Sequence, residues 1–315
     1  MVLLARKKQM IVSVEATKGT IETITNADVA ILAEDIEYSL GTEEIVRDPL
    51  RSTFSKYESI PGAQIATVTC RCEMKGSGTA TTAPKWGTLL QGCGFAETIN
   101  TGDIDYTLKS AEADSETLTI AVYNDGLCYI CYGARGNVSF EMNANQVAYM
   151  NFTFVGIHSS ITDAAMLSTL SYDTGIPPVF KNSSTAFNID GAWNDAVFST
   201  FTLDLNCANV LREDANATNG LSHAIISDRD PAGSIDLDAV LVAAQAFYTH
   251  LTTPTAGSIT TTLGATAGNK VTMTADKLQV LGITNGDRDG VSTFNCDFKL
   301  RTAGGDDDEL TITHE

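Results

Sequence analysis

Ile65-Ala66-Thr67-Val68-Thr69-Cys70-Arg71-Cys72-Glu73-Met74 alternates without a break: Val68, Cys70, Cys72 and Met74 fall on one side of an extended chain, Thr67, Thr69, Arg71 and Glu73 on the other. Such alternation, rich in β-branched residues, describes a strand with one face in a core and the other in water. The pattern returns at 117–123, 127–132, 137–142 and 149–155, with Asn124-Asp125-Gly126 as an Asp-Gly hairpin turn between the first two. Together these segments predict a meander of antiparallel strands.

The rest of the composition agrees. The 315 residues include 40 threonines and 25 glycines, and 43% of the chain is hydrophobic. That is apolar enough for a substantial core, and threonine and glycine point to strands and turns. Only two stretches read as helical. Ala83-Pro84-Lys85-Trp86-Gly87-Thr88-Leu89-Leu90-Gln91-Gly92-Cys93-Gly94 has proline near its start and glycines at its end. Residues 238–251 offer Asp238 as N-cap and Leu241, Val242, Ala244, Gln245 and Tyr248 as an apolar stripe.

Each helix has the same neighbours in the same order. Before the first come a strand at 34–40, a long polar connection at 41–64 and the strand 65–74; after it come 117–123, 127–133 and a long pair over 137–155. Before the second come strands at 198–206 and 233–238 flanking the connection 208–232; after it come 258–263, 269–275 and a pair over 278–300. The chain reads as a diverged tandem duplication: a first repeat with an N-terminal arm at 1–172, a proline-containing joint at 173–184 and a second repeat with an acidic end at 185–315. A ring of six copies of one domain is equally built from three copies of a duplicated one, so a trimeric ring with pseudo-sixfold symmetry is expected.

Charge narrows the partners. With 20 Lys and Arg against 39 Asp and Glu, the net charge is −19, which excludes gripping nucleic acid through its phosphates. The start of the chain places its apolar residues before Arg6, Lys7 and Lys8, the reverse of a secretory leader, so synthesis and retention in a cytoplasm are expected. The longest apolar stretch, 237–248, is broken by Asp238 and falls short of the roughly 20 residues of a membrane span, so no membrane segment is expected. Seven cysteines, an odd number, fit a reduced protein using cysteine as a small core residue. Cys128 and Cys131 have metal-pair spacing, but no second pair follows, and residues three apart in a strand point to opposite faces.

An enzyme lacks its parts. His158, His223, His250 and His314 are scattered outside any nucleophile or metal motif. Asp287-Arg288-Asp289-Gly290 lacks the remaining ligands of a calcium loop, and Gly76-Ser77-Gly78 lacks the lysine of a phosphate loop; both read as turns. No cofactor or metal is expected. A monomeric β-sandwich binding module would display aromatic residues, for which Trp86 and Trp193 are poor support.

Several stretches carry a resemblance: Gly76-Ser77-Gly78-Thr79-Ala80, the Trp86-Gly87-Thr88-Leu89-Leu90 run followed by Gly92-Cys93-Gly94-Phe95, Gly133-Ala134-Arg135-Gly136-Asn137, Ser227-Asp228-Arg229-Asp230-Pro231, Gly286-Asp287-Arg288-Asp289-Gly290 and the end from Gly304 to Thr313. They span almost the whole chain, and the segment 4–20 adds to them. In these residues the chain resembles the major tail tube protein of long, flexible-tailed bacteriophages. The resemblance implies a mainly β fold: tandem tail-tube β-sandwich domains, each with one flanking helix, whose strands join those of neighbours into a β-barrel channel. It implies a structural protein of the virion tail, self-assembled into stacked rings through which genomic DNA passes. Expected partners are further copies of the chain and the tape-measure, terminator and distal tail proteins. Similar folds occur in inner tubes of contractile injection systems and other tail-like particles.

A conduit should repel phosphate rather than bind it. On that reading the channel-lining candidates are Asp35, Glu37, Thr69 and Glu73 in the first repeat and Asp204, Asp236 and Asp238 in the second, with Arg71 on the same face near Glu73. The long connections are expected to contact the next ring. Their charged residues are Glu43, Glu44, Arg47, Asp48, Arg51 and Lys56 in one, and Arg212, Glu213, Asp214, Asp228, Arg229 and Asp230 in the other. The N-terminal arm and Asp306-Asp307-Asp308-Glu309 are further candidates for contacts between subunits.

Overall fold

The computed structural model describes residues 3–181, the backbone of 185–189, and residues 196–252 and 257–315. Trp193 and the last residues of the expected joint lie outside them. In chain order the elements are β1 (Lys8–Val14), β2 (Val29–Ile31), β3 (Glu34–Ile45), β4 (Ile60–Glu73), α1 (Gly87–Gly92), β5 (Phe95–Ile99), β6 (Ile104–Leu108), a single 3-10 turn (Glu112–Asp114), β7 (Leu118–Asn124), β8 (Leu127–Asn143) and β9 (Tyr149–Asp163). There follow β10 (Thr185–Ile189), β11 (Phe198–Asp204), β12 (Ala208–Glu213), β13 (Leu221–Asp228), β14 (Ala232–Asp238), α2 (Thr249–Thr252), β15 (Gly257–Leu263), β16 (Val271–Arg288), β17 (Val291–Leu300) and β18 (Thr311–His314).

The protein is mainly β, and its pairing path repeats. In the first half β1 pairs β7, β7 pairs β8, β8 pairs β9, β9 pairs β4 and β4 pairs β3. In the second, β10 pairs β15, β15 pairs β16, β16 pairs β17, β17 pairs β14 and β14 pairs β11. All are antiparallel. The Asp125-Gly126 and Asp289-Gly290 turns both take positive φ, as two-residue hairpin loops require.

Three devices join the halves: two weave them into one sixteen-stranded sheet around a shared main core, and the third packs across it. First, β11 pairs the C-terminal part of β8, from Asp204 opposite Ser139 to Thr200 opposite Asn143. Phe201 and Leu203 thereby bury against the same core as Met142 and Phe140, and each such side chain contributes on the order of 1.5–3 kcal/mol. Second, β18 lies between β16 and β6, carrying the sheet back to the first half. Third, β12 and β13 form a separate hairpin that packs over β8 and β9.

The expected alternation of 65–74 is present, with Val68, Cys70, Cys72 and Met74 buried. Cys128 and Cys131 face opposite ways: Cys131 joins the main core, while Cys128 packs with Ile11, Ala121 and Tyr123 in a small second cluster. The helices are shorter than expected. Residues 87–92 retain a helix inside the 83–94 segment, but the helix expected over 238–251 is reduced to one turn at its end, Thr249–Thr252. Asp238 ends β14 opposite Thr293 and gives its carboxylate to Arg288, so it is not free to cap a helix, and Leu241 and Val242 project into solvent instead of forming a buried stripe.

Candidate functional site: one polar sheet face with two open edges

Eight strands run side by side in the order β3, β4, β9, β8, β11, β14, β17 and β16, crossing from one half to the other without a gap. Opposed residues of an antiparallel ladder share a face, so the ladders define what that face presents. Glu37 opposes Thr69, Thr69 opposes Thr153, and Asn137 opposes Thr153 from the other side. The row continues through Ser139 opposite Asp204, Thr202 opposite Ser234, Ser234 opposite Asp297, and Asn295 opposite Thr284. Carboxylates, hydroxyls and amides dominate this side, while Val68, Cys70, Phe152, Phe154, Phe201, Leu203, Ile235, Cys296 and Phe298 fill the other.

Arg71, Arg288 and Lys299 on the polar face are each bonded to a carboxylate. Arg71 stacks 3.7 Å from the centre of the Tyr149 ring and reaches Glu141 at 3.4 Å. Arg288 bonds Asp236 at 2.8 Å and also Asp238. Partial burial pulls the Arg288 pKa down, but the hydrogen bonds and charges of Asp236 and Asp238 outweigh it and raise the value. Lys299 and Arg301 converge on Asp230, whose carboxyl they hold below the usual aspartate range. Asp204 accepts from Asn137 Nδ2 at 2.7 Å and from the Asn206 backbone at 2.8 Å. Glu37, Thr153 and Asp297 are exposed.

Of the seven candidates for a channel lining, six share this face: Glu37, Thr69 and Glu73 on β3 and β4, and Asp204, Asp236 and Asp238 on β11 and β14. Asp35 differs. It has φ of 49° in the irregular step between Glu34 and Glu37 where the ladder with β4 shifts, so strand alternation does not fix its side. Glu73 bonds Lys75 at 2.7 Å, and Arg71 bonds Glu141 across two ladders instead of pairing with Glu73. Alternation alone did not reveal Asp297, Asn295 and Thr153, whose place on the face depends on which strands lie beside them.

The eight-strand path ends in open edges. Beyond β4, β3 has no strand partner among the described residues. At the opposite end β16 pairs β15 only up to Leu278, so on that side its stretch from Gln279 to Arg288 has no strand partner among the described residues.

The long connections take different forms. The first extends β3 and β4 into an antiparallel arm as far as Ile45 opposite Ile60, with one register shift between Thr42 and Glu44. Glu43 and Glu44 lie on the arm, and Arg47, Asp48, Arg51 and Lys56 lie at its tip. Lys56 bonds Asp48 at 2.7 Å, and Arg51 sits 4.5 Å over the Tyr57 ring. Leu50 and Phe54 there are fully exposed, at 102% and 105% of their reference areas.

The second connection folds back as the β12–β13 hairpin. His223 Nε2 lies 3.1 Å from Glu112, which holds the buried Arg135 through two bonds of 2.5 and 3.1 Å. Burial acts to raise the Glu112 carboxyl, but the Arg135 hydrogen bonds and charge, with help from His223 and Lys18, hold it below its ordinary value. Beside it Glu15 is buried and fully bonded, accepting from Thr117, Thr119, Gly133 and Gly19. Arg229, at the base of the hairpin, bonds Asp307 and Glu309, so part of the acidic segment 306–309 is engaged within the chain. Arg212, Glu213 and Asp228 stay on the outside of the hairpin.

A family model described as phage tail tube protein matches residues 6–311. No curated protein matches the chain.

Proposed function

Because this chain belongs to the phage tail tube protein family, a structural component of the virion tail, we propose that it builds the wall of the tail tube by self-assembly and that genomic DNA crosses the lumen against the polar sheet face. The observation that carries this reading is the continuous face itself: one wall segment, built from both halves, apolar behind and rich in hydroxyls and carboxylates in front. Duplex DNA is densely anionic, and a wall on which Arg71, Arg288 and Lys299 are already bonded to carboxylates offers its phosphates no strong site there. Coulomb repulsion is weak through water and screened beyond about 8–10 Å; it discourages contact without preventing passage.

The repeated pairing path supports reading 1–172 and 185–315 as two copies of one tube domain joined at 173–184, and therefore three chains in a ring of pseudo-sixfold symmetry. The first connection, with its exposed apolar tip, would meet a stacked ring. The second clasps the two halves of its own chain and leaves Arg212, Glu213 and Asp228 facing outward for a neighbour. Tape-measure, terminator and distal tail proteins would meet the tube inside and at its two ends.

Electron microscopy of the purified protein after assembly tests the reading. Rings or tubes with a central hole, three chains per ring, are expected. Six chains per ring would overturn the stoichiometry, and a chain that remains monomeric at high concentration, with or without a tail-tip nucleator, would overturn the tube.

A further inference from the structure

The seam between β8 and β11 inside the chain has an unfilled counterpart, and the ladders fix its register. In the first half, Ala134 is the last residue of β8 paired to β7; two residues on, Gly136 opposes Phe154, which opposes Val68, which opposes Tyr38. In the second half, Leu278 is the last residue of β16 paired to β15; two residues on, Val280 opposes Phe298, which opposes Gly233, which opposes Leu203. Tyr38 therefore occupies on β3 the place of Leu203 on β11. By the same ladders Ser139, opposite Asn151, corresponds to Thr284, opposite Asn295.

β11 uses its outer edge to pair β8, with Asp204 opposite Ser139, Leu203 opposite Phe140 and Thr202 opposite Glu141. The corresponding edges, the outer side of β3 and the far end of β16, are the two open ends of the eight-strand path. They lie on opposite sides of one molecule, so the chain cannot bring them together without closing a barrel by itself, but two copies can. The geometry points to a second copy of this chain as the occupant: β3 of one copy adds antiparallel to β16 of the next, with Ser39 opposite Thr284, Tyr38 opposite Asn285 and Glu37 opposite Gly286. This rests on the self-assembly reading above and adds to it which edges meet and in which register.

Two observations support the register. Face parity is kept, because Ser39, Thr284, Glu37 and Gly286 all fall on the polar side; a slip of one residue would set Tyr38, held inward by its ladder with β4 and its bonds to His158 and Ile130, opposite a polar-face residue. The seam between copies also differs in chemistry from the seam within the chain. Where Phe140 and Met142 bury against the core in β8, β16 carries Asn285 and Asp287, both exposed in the single chain. An inward-facing polar pair on an open strand guards it against indiscriminate pairing. The internal seam is thus a permanent hydrophobic joint, while the one between copies is held mainly by backbone hydrogen bonds and is conditional on assembly.

Two single variants, Ser39→Cys and Thr284→Cys, are mixed, assembled and oxidised, and cross-linked dimers are counted on a denaturing gel. The control replaces Ser39→Cys by Gly41→Cys, two residues along the same face, where an added Cβ meets only ordinary contact at 3.7 Å. Dimers from the Ser39→Cys mixture at tenfold or more above the Gly41→Cys mixture, and absent from either variant alone, are expected. Equal yields, or none from the Ser39→Cys mixture while rings are visible by microscopy, overturn the register and leave the tube standing. Absence of rings from the wild-type protein overturns both.

Discussion

Gly136 lies directly under the ring of Phe154 across the β8–β9 ladder, and a Cβ at Gly136 would sit 2.5 Å from a ring carbon. The second half reaches the same end from the other side: Phe298 lies over Gly233 on β14, with a ring carbon 2.6 Å from where a Cβ would be. In both halves a phenylalanine at the middle of the sheet lies flat because one neighbouring strand gives up its side chain. Phe154 stacks on Phe152 at 8° and Phe298 on Phe201 at 12°.

Replacing Gly136 by valine should force the Phe154 ring off its seat in a core with no room to yield, costing about 1–3 kcal/mol. Chemical denaturation would show a lower midpoint with an unchanged slope. A midpoint equal to wild type would mean that the ring is free to move.

Lysine at Thr153 or Asp297 should leave the fold within about 0.5 kcal/mol, since both are exposed. Tubes should form, and delivery of DNA should fall at least tenfold in low salt and recover partly as salt rises. Asp236 and Asp238 are poorer probes, because lysine there would confront Arg288 and unsettle the strands themselves. Unchanged infectivity in both variants would count against a lumenal face.

Glu112 joins the two halves through His223 and Arg135, and its depressed pKa gives the sign of an acid effect. A carboxylate with a lowered folded-state value contributes stability above its ordinary pKa of 4.5, and that contribution disappears as pH falls through the lower value. Glu112→Gln should therefore melt below wild type at pH 7, with the gap closing in acid below both values. A gap that is constant with pH would assign the loss to packing alone.

His314 acts in the opposite chemical sense with the same direction in pH. Burial lowers its pKa beneath 6.5, with its Nε2 3.2 Å from the Gly268 carbonyl oxygen between β18 and its neighbours, so the folded chain holds it neutral. The unfolded chain takes up the proton first, and stability should decline as pH falls from 6.5 through the lower folded value. His158, also lowered by burial, adds to the slope. His314→Gln should flatten the dependence of the melting temperature between pH 7 and 5; an unaltered slope would acquit the residue.

What was legible in the sequence followed from short-range chemistry. The alternation from Val68 to Met74 names its own buried face, and Asp125-Gly126 names its own turn, because both depend on adjacent residues. The connection at 208–232 reads as a loop because β12 buries no residue fully and β13 buries only Leu221, His223 and Ala224 near its start, so neither carries a sustained apolar alternation. The stretch after Asp238 read as a helix because its apolar spacing is helical, but a carboxylate captured by Arg288, fifty residues away, leaves no signal in spacing. The acidic run 306–309 reads as a candidate for contacts between subunits, whereas its bonds from Arg229 to Asp307 and Glu309, and the burial of Leu310 and Ile312 beyond it, depend on strand order that residue type does not carry. For the site, residue type singled out the carboxylates, whereas neighbours such as Asp297 and Asn295 depended on strand order.

The β8–β11 seam changes the kinetics expected of a closed ring. In the ring of three chains proposed above, holding both halves on one chain makes every second seam unimolecular, at an effective concentration in the millimolar range for a short tether. Two associations and one closure, in place of five and one, must then succeed before the last edge is covered. Ring growth should depend on a lower power of subunit concentration, and a half-built ring should expose fewer strand edges on which a stray chain can lodge.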